Sequence, residues 1–319
     1  MSIWNCENTI FIMASTGYAR KAIEKKGMRV FSPYWGNHMP LRIFREACFK
    51  LPFLPTALWY NKEILCGRYE YINIIDVNIT SDYLKWIKRN YPKAQINFIY
   101  NNMVGKARNI VPEKIPEGIR VWTYDDYDAR KYGIRLFNNY WIHEMIFKQR
   151  KKPEYDVFFV GRDKGRGENL LKLERRLQSM GLKTKFIITI DGKMAKKKLY
   201  YQKPLSYEEV IDYDTRSRAI LNFTMENQEG VTMRDMESVA IGVKLITTNR
   251  SIVRKDLYAK NNVFILGVDN IGELPGFLAL EYIDIWDDIK ENHTFEAMLD
   301  EITGVNRGNL DLGKFVSDI

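Results

Sequence analysis

The second half of the chain alternates short, fully apolar runs with amphipathic ones. Residues 155–160 form a β-rich run that ends at Gly161. Residues 168–180 read as an amphipathic helix closed by Gly181, the residue type that most often follows a helix end. A second strand at 185–190 stops at the Asp191-Gly192 turn. Then come helix at 207–214, strand at 219–223, helix at 233–241 with Gly242 behind it, strand at 243–247, helix at 253–259 and strand at 263–266. These strands are β-branched or aromatic and apolar on both faces, as strands covered by helices on both sides must be. The pattern predicts a parallel sheet in a doubly wound α/β domain.

The first half repeats the theme less regularly, with strands expected at 9–13, 29–32, 71–76, 95–100 and 120–124 and helices at 20–26, 41–50, 81–90 and 141–149. The basic stretch 148–153 is the natural boundary, giving domains 1–150 and 151–319. Two such domains would face each other across a central cleft at the carboxyl ends of their strands, where open α/β sheets bind ligands. Residues 277–319 are expected to be mostly helical and to pack back on the first domain.

Composition narrows the class. The 319 residues amount to about two domains at about 100–200 residues each. With 45% hydrophobic and 13% aromatic residues the chain can fill their cores, which excludes a disordered or disulfide-stapled protein. Cys6, Cys48 and Cys66 lack the paired spacing of a zinc site and read as core residues in a reducing compartment. No apolar run approaches the roughly 18 residues of a membrane span, and the polar start does not read as a secretory signal. The net charge of +9 is uneven: residues 1–150 hold 23 Lys and Arg against 13 Asp and Glu, whereas 151–319 hold 26 against 27. The basic half calls for a polyanionic substrate, an anionic membrane or nucleic acid.

Two stretches carry chemistry. Gly161-Arg162-Asp163-Lys164-Gly165-Arg166 follows a strand and precedes a helix. Its glycines permit a sharp turn, its three cations attract an anion, and a helix N-terminus offers free N–H groups, a combination suited to a diphosphate. It is neither a Walker A loop nor the G-x-G-x-x-G of dinucleotide enzymes, and a solvated basic loop is its plainer reading. The second stretch, residues 227–237, follows a strand and opens a helix, with Glu229 and Glu237 separated by seven residues. Gly230 lets the backbone approach a ligand, Thr232 is a natural N-cap, Arg234 offers a guanidinium to a phosphate oxygen, and Glu237 suits a ribose diol. Here the plainer reading is a capped helix with an Arg234–Glu237 surface pair.

The phrases YDVFFVGRDKGR and EGVTMRDMESVAIGVKLITTN resemble the carboxy-terminal domain of GT-B glycosyltransferases from bacterial capsule, lipopolysaccharide and exopolysaccharide clusters, whose retaining members carry a Gly-Arg…Lys loop and a Glu-x7-Glu motif. FREACFKLPFLPTALWYNKEI, INFIYNN and VWTYDDYDARKYGI resemble the acceptor half of such enzymes. The resemblance implies two Rossmann-like domains and a nucleotide-diphospho-sugar donor, with no separate cofactor. Arg162 and Lys164, beside Gly161 and Arg166, would hold the diphosphate. Gly230 to Arg234, Thr232 included, would wrap phosphate and sugar; Glu237 would take the ribose hydroxyls and Glu229 would face the sugar. Gly242-Val243-Lys244 stands where the family has Gly-x-Pro, and no Gly-rich loop follows a first-domain strand.

Glycosyl transfer needs charge stabilisation on the departing diphosphate and an acceptor hydroxyl placed in line. The cations Arg162, Lys164, Arg166 and Arg234 supply the first without a metal. Asp76, ending a buried strand, is the leading general base; Asp125, Asp126 and His38 are alternatives. Asp212 and Asp214 read as a solvated helix end, His143 as a packed histidine and His293 as part of a polar tail. Residues 34–60 interleave aromatics (Tyr34, Trp35, Phe44, Phe49, Phe53, Trp59, Tyr60) with Arg42, Arg45, Lys50 and Lys62, which suits either packing on the first domain or contact with an anionic membrane carrying a lipid-linked acceptor. The expectation is a cytoplasmic, membrane-peripheral transferase acting on a lipid-linked or oligosaccharide acceptor; the rival is a non-catalytic nucleotide- or polyanion-binding partner of a polysaccharide assembly. No nucleic-acid motif is present.

Overall fold

The computed structural model describes residues 3–14, 17–36, 38–49, 51, 56–106, 109–141, 149, 152–191 and 198–304. The chain forms two compact units: Met1–Tyr124, Asp128–Phe137 and Phe295–Ile319 make the first, Asp125–Tyr127 and Asn138–Thr294 the second.

The first unit holds six strands, β1 (Thr9–Ile12), β2 (Arg29–Phe31), β3 (Tyr71–Ile75), β4 (Gln95–Tyr100), β5 (Arg120–Thr123) and the two-residue β6 (Arg135–Leu136), all parallel, in the order β2-β1-β3-β4-β5-β6. The second holds β7 (Tyr155–Arg162), β8 (Thr184–Thr189), β9 (Ser217–Asn222), β10 (Lys244–Thr247) and β11 (Val263–Ile265), also parallel, in the order β11-β10-β9-β7-β8. Central strands are buried on both faces: Ile72 and Ile74 alternate with Asn73 and Ile75 in the first sheet, and Val157 and Phe159 with Phe158, and Ala219 and Leu221 with Ile220, in the second. In each sheet the chain places its second strand on one side of the first and its third strand on the other. The winding therefore reverses between β1 and β3 and again between β7 and β9, and these reversals are where open α/β sheets leave room for ligands.

Helices Ser81–Asn90 and Met233–Ile241 match the sequence reading at both ends. The helix expected at 253–259 is a 3₁₀ turn at Arg250–Arg254, started by Asn249, whose side chain accepts the Ser251 N–H. A helix at Asp126–Tyr132 was not read from the sequence, because its seven residues show no apolar stripe. The unit boundary falls between Phe137 and Asn138 rather than at 150. Trp141 is already part of the second core, and its N–H donates to the His293 carbonyl at 2.6 Å. Most of the expected helix at 141–149, with His143, lies outside the described residues, as does all beyond Gly304. Of 277–304, only the short helices Leu274–Ala279, Trp286–Ile289 and Phe295–Thr303 are helical beyond a 3₁₀ turn, and the last belongs to the first unit.

Cys48 is buried, but Cys6 and Cys66 are exposed thiols rather than core residues. His293 is not in a polar tail: it is buried, with Nδ1 2.7 Å from the Asn139 carbonyl and Nε2 3.0 Å from Asp256, whose carboxyl it holds below the usual range against the opposing effect of burial.

Candidate functional site

The two signal stretches leave adjacent strands, β7 and β9, at the carboxyl edge of the second sheet, on either side of its winding reversal. After β7, the Arg166 N–H donates to the Asp163 carbonyl at 2.9 Å, closing a turn whose middle residues, Lys164 and Gly165, both have left-handed backbones (φ 46° and 80°). That conformation is natural for glycine and strained for lysine. The Lys164 N–H is held at 2.8 Å from both Asp191 carboxylate oxygens. Arg162 and Lys164 are exposed and Arg166 is half-buried. Among the described residues none of the three is in an ion pair. Arg166 lies over the Phe159 ring at 5.7 Å and its Nη2 reaches only the Arg162 carbonyl, at 3.4 Å. Burial, with the two arginines alongside, lowers the Lys164 ammonium; burial also lowers Arg166.

At the N-terminus of the helix that follows, Gly167–Ser179, Asp163 takes one of the amides that the sequence offered, accepting the Gly167 N–H at 2.7 Å. The same carboxylate accepts the hydroxyls of Tyr200 and Tyr201 at 2.8 and 2.7 Å. Burial alone would raise it, but Tyr201, the Gly167 amide, Tyr200 and Lys198 outweigh that and leave it at about 2.

After β9, Asn222 ties the chain to the helix ahead, donating to Thr232 Oγ1 at 3.0 Å and Asp235 Oδ1 at 2.7 Å. Asp235 in turn accepts the Thr232 N–H and hydroxyl, so Thr232 does start the helix. The amides of Met233 and Arg234 remain without hydrogen bonds among the described residues. Glu229 and Gly230, expected to face the donor sugar and to help wrap phosphate and sugar, donate both N–H groups to Asp125 Oδ2 at 2.9 and 2.8 Å, and their carbonyls accept from Asn249. The Glu229 carboxylate is half-buried, 3.5 Å from Arg254.

Arg234 is not a free guanidinium. It grips Asp214 with both terminal nitrogens (2.7 and 2.9 Å) and reaches Glu237 at 2.5 Å, over the Phe158 ring. Asp214 is fully buried rather than part of a solvated helix end, and Glu237 is 2% exposed, so the Arg234–Glu237 pair exists but lies in the core. Burial raises both carboxyls, and their shared cation only partly offsets this. Sequence reading named Asp125 as an alternative base, Asp214 as part of a solvated helix end, Asp191 in a turn and Asp163 within the basic motif, but gave none of the four the role of accepting these backbone amides or the Arg234 guanidinium.

In the first unit, Asp76 follows β3 beside the other winding reversal and is fully buried. Asn109 donates to its Oδ2 at 2.9 Å, while Oδ1 has no hydrogen-bond partner among the described residues. Burial pushes its carboxyl up to about 6 despite Asn109 and the nearby polar groups of Asn101 and Asn102. The acidic run after β5 diverges: Asp126 pairs with Lys255 at 2.6 Å and Asp128 accepts the Val104 N–H at 2.7 Å. Among the described residues no three His, Cys, Asp or Glu side chains are placed to hold a metal ion.

The helix Met39–Cys48 leaves Leu41, Ile43 and Phe44 exposed, and Trp35, Leu51 and Leu58 are exposed near it in sequence. Trp35 stacks on Trp59 at 4.7 Å. Arg45 is not available to a surface ligand: it is buried, donating to the Trp35 carbonyl at 2.7 Å over the Tyr34 ring. Lys50 and Phe53 lie outside the described residues, and among the described residues no helix is long and apolar enough to cross a membrane.

The two Rossmann-like domains are those of the GT-B fold. A DNA-modifying β-glucosyltransferase solved with and without uridine diphosphoglucose superposes with a TM-score of 0.50 at 12% identity, over 93% of this chain and 94% of that one. AviGT4, a glycosyltransferase involved in avilamycin A biosynthesis, gives 0.50 at 9% identity, over 93% and 96%. No family model and no curated protein sequence matches the chain. The likeness is therefore one of fold, with almost no sequence in common.

Proposed function

We propose that this chain is a glycosyltransferase that moves a sugar from a nucleotide-diphospho-sugar to a lipid-linked or oligosaccharide acceptor in bacterial surface polysaccharide biosynthesis. One observation carries the reading. Three cations outside any ion pair and two helix amides without hydrogen bonds, among the described residues, leave adjacent strands at the winding reversal of the second sheet, the place and chemistry that a diphosphate requires.

In this reading Arg162, Lys164 and Arg166 stabilise the charge that develops on the departing diphosphate, a role that needs no metal. The backbone around Gly161, Gly230 and Thr232, with the Met233 and Arg234 amides, cradles the phosphates. Arg234 and Glu237 act from the core by fixing that helix, and Glu229 lies toward the donor sugar. Asp76 is the general base: its position beyond β3, its raised pKa and its unpartnered Oδ1 support proton removal from an acceptor hydroxyl. Asp76 is fully buried, so the acceptor must displace its neighbours to reach it. The exposed apolar residues of 35–58 support docking on an anionic membrane, which would place the protein on its cytoplasmic face.

The test is release of nucleoside diphosphate from a panel of nucleotide sugars, uridine diphosphoglucose first, with membrane lipid extract as acceptor. Turnover that Asp76→Asn reduces about 100-fold or more is the expected result. No release from any donor, or an unaffected Asp76→Asn variant, contradicts the transferase or the base respectively.

A further inference from the structure

We propose that Asp163, Tyr200 and Tyr201 are the positioning set of the 161–166 loop, holding it in its phosphate-binding shape before any donor arrives; the inference rests on the donor site proposed above. Asp163 is the only acid in that loop, yet among the described residues it forms no ion pair with the loop's own cations. Its Oδ1 is taken by the Gly167 N–H at 2.7 Å, and its Oδ2 by the hydroxyls of Tyr200 and Tyr201 at 2.8 and 2.7 Å. Lys198 backs the pair, its ammonium donating to the Tyr200 hydroxyl at 2.7 Å and standing 3.6 Å from Oδ2. The site is built for this contact: a Cβ on residue 167 would stand 2.4 Å from the Tyr200 hydroxyl and 2.7 Å from Asp163 Oδ2, so only glycine fits there.

The consequence is electrostatic and conformational together. A loop of three cations and one carboxylate would ordinarily pair internally and lose its affinity for an anion. Here the carboxylate faces the Gly167 amide, two tyrosine hydroxyls and Lys198, which lies outside the loop, and Asp191 accepts the Lys164 amide rather than a loop side chain. Arg162, Lys164 and Arg166 are left for a ligand. The same contacts hold a turn with two left-handed residues, one of them lysine, that the free chain would rarely adopt. Ordering a loop in advance removes a cost that binding would otherwise carry.

Tyr200→Phe and Tyr201→Phe remove one donor each and leave the edge-to-face ring pair, 4.8 Å between centroids, in place; Asp163→Asn removes the charge. Calorimetric titration with UDP, ADP, GDP and dTDP, and with the matching nucleosides, separates phosphate recognition from base recognition. The expected result is a Kd for the preferred diphosphate at least about tenfold weaker in Tyr201→Phe and in Asp163→Asn, with nucleoside affinity unchanged and, in turnover, KM for the donor raised more than kcat is lowered. Equal diphosphate affinity in wild type and Tyr201→Phe overturns the positioning role while leaving the donor site standing. Equal loss of nucleoside and diphosphate binding overturns it as well, marking a structural contact only. Wild-type protein that binds none of the four diphosphates overturns the donor site, and the positioning role with it.

Discussion

Arg234 meets Asp214 side-on, Nη1 to Oδ2 at 2.9 Å and Nη2 to Oδ1 at 2.7 Å, deep against the second sheet. A bidentate pair of this kind is among the strongest polar contacts a protein makes, but breaking it from one side leaves a charge stranded in the core. Arg234→Ala strands two, since Glu237 shares the guanidinium. Urea unfolding of Arg234→Ala is expected to show a loss of about 3–5 kcal/mol. A loss below about 1 kcal/mol would mean that the cluster is not closed as described.

Asp76 makes stability depend on pH. Its carboxyl, normally near 3.8, is pushed up to about 6 by burial, so the folded chain binds a proton that the unfolded chain has released. That stability is full below about 4 and is lost as pH rises through 6. Asp76→Asn has no such proton to bind or release. Its unfolding free energy should gain about 2–3 kcal/mol on the wild type between pH 4 and 6.5, and parallel profiles would contradict the burial of this group.

Lys244 gives the opposite slope at the alkaline end. Burial lowers its ammonium from 10.5 to about 8, and it is held by the Asn261 carbonyl and the Phe277 ring with no carboxylate among its partners. Between about 8 and 10.5 the unfolded chain holds a proton that the folded one does not, so stability rises with pH. Lys244→Met should be more stable than the wild type at pH 7 by about 3 kcal/mol, with the gap closing toward pH 10. A gap independent of pH would contradict the shift.

How much of this was legible in the sequence follows from what sequence periodicity can carry. Ten of the strands and their parallel, doubly covered character were readable because buried strands of this kind are continuous apolar runs; the unread one, β6, is two residues long at a sheet edge. The two loops of the proposed donor site were readable as glycine, cation and cap residues at fixed offsets. Their partners were not. Asp125 reaches Glu229 from 104 residues away, Asp214 reaches Arg234 from 20, and Tyr201 reaches Asp163 from 38, separations that leave no local pattern. For the same reason the Arg234–Glu237 spacing was visible, and Asp214, the third member that holds both in the core, was not.

The exposed apolar side chains of the 35–58 segment predict membrane contact that can be separated from folding. Ile43 and Phe44 are 59% and 61% exposed, so Ile43→Ser with Phe44→Ser should leave the unfolding free energy within about 0.5 kcal/mol of the wild type. The same double variant should lose most of its co-sedimentation with vesicles rich in phosphatidylglycerol. Wild-type protein that ignores such vesicles, or a variant that binds them equally, contradicts the membrane assignment.

The central claim, that the second sheet carries a nucleotide-sugar site at its winding reversal, is tested most directly by thermal stabilisation with nucleoside diphosphates and nucleotide sugars. The comparison is between the wild type and the Arg162→Ala, Lys164→Ala double variant. These side chains point away from the core, so their removal leaves the fold intact, which Glu237→Ala would not. A ligand at about 100 times its Kd adds about 2.7 kcal/mol. One nucleotide family raising the wild-type Tm by several degrees and leaving the double variant unmoved is the predicted result. No shift with any nucleotide, or an equal shift in both proteins, would contradict it.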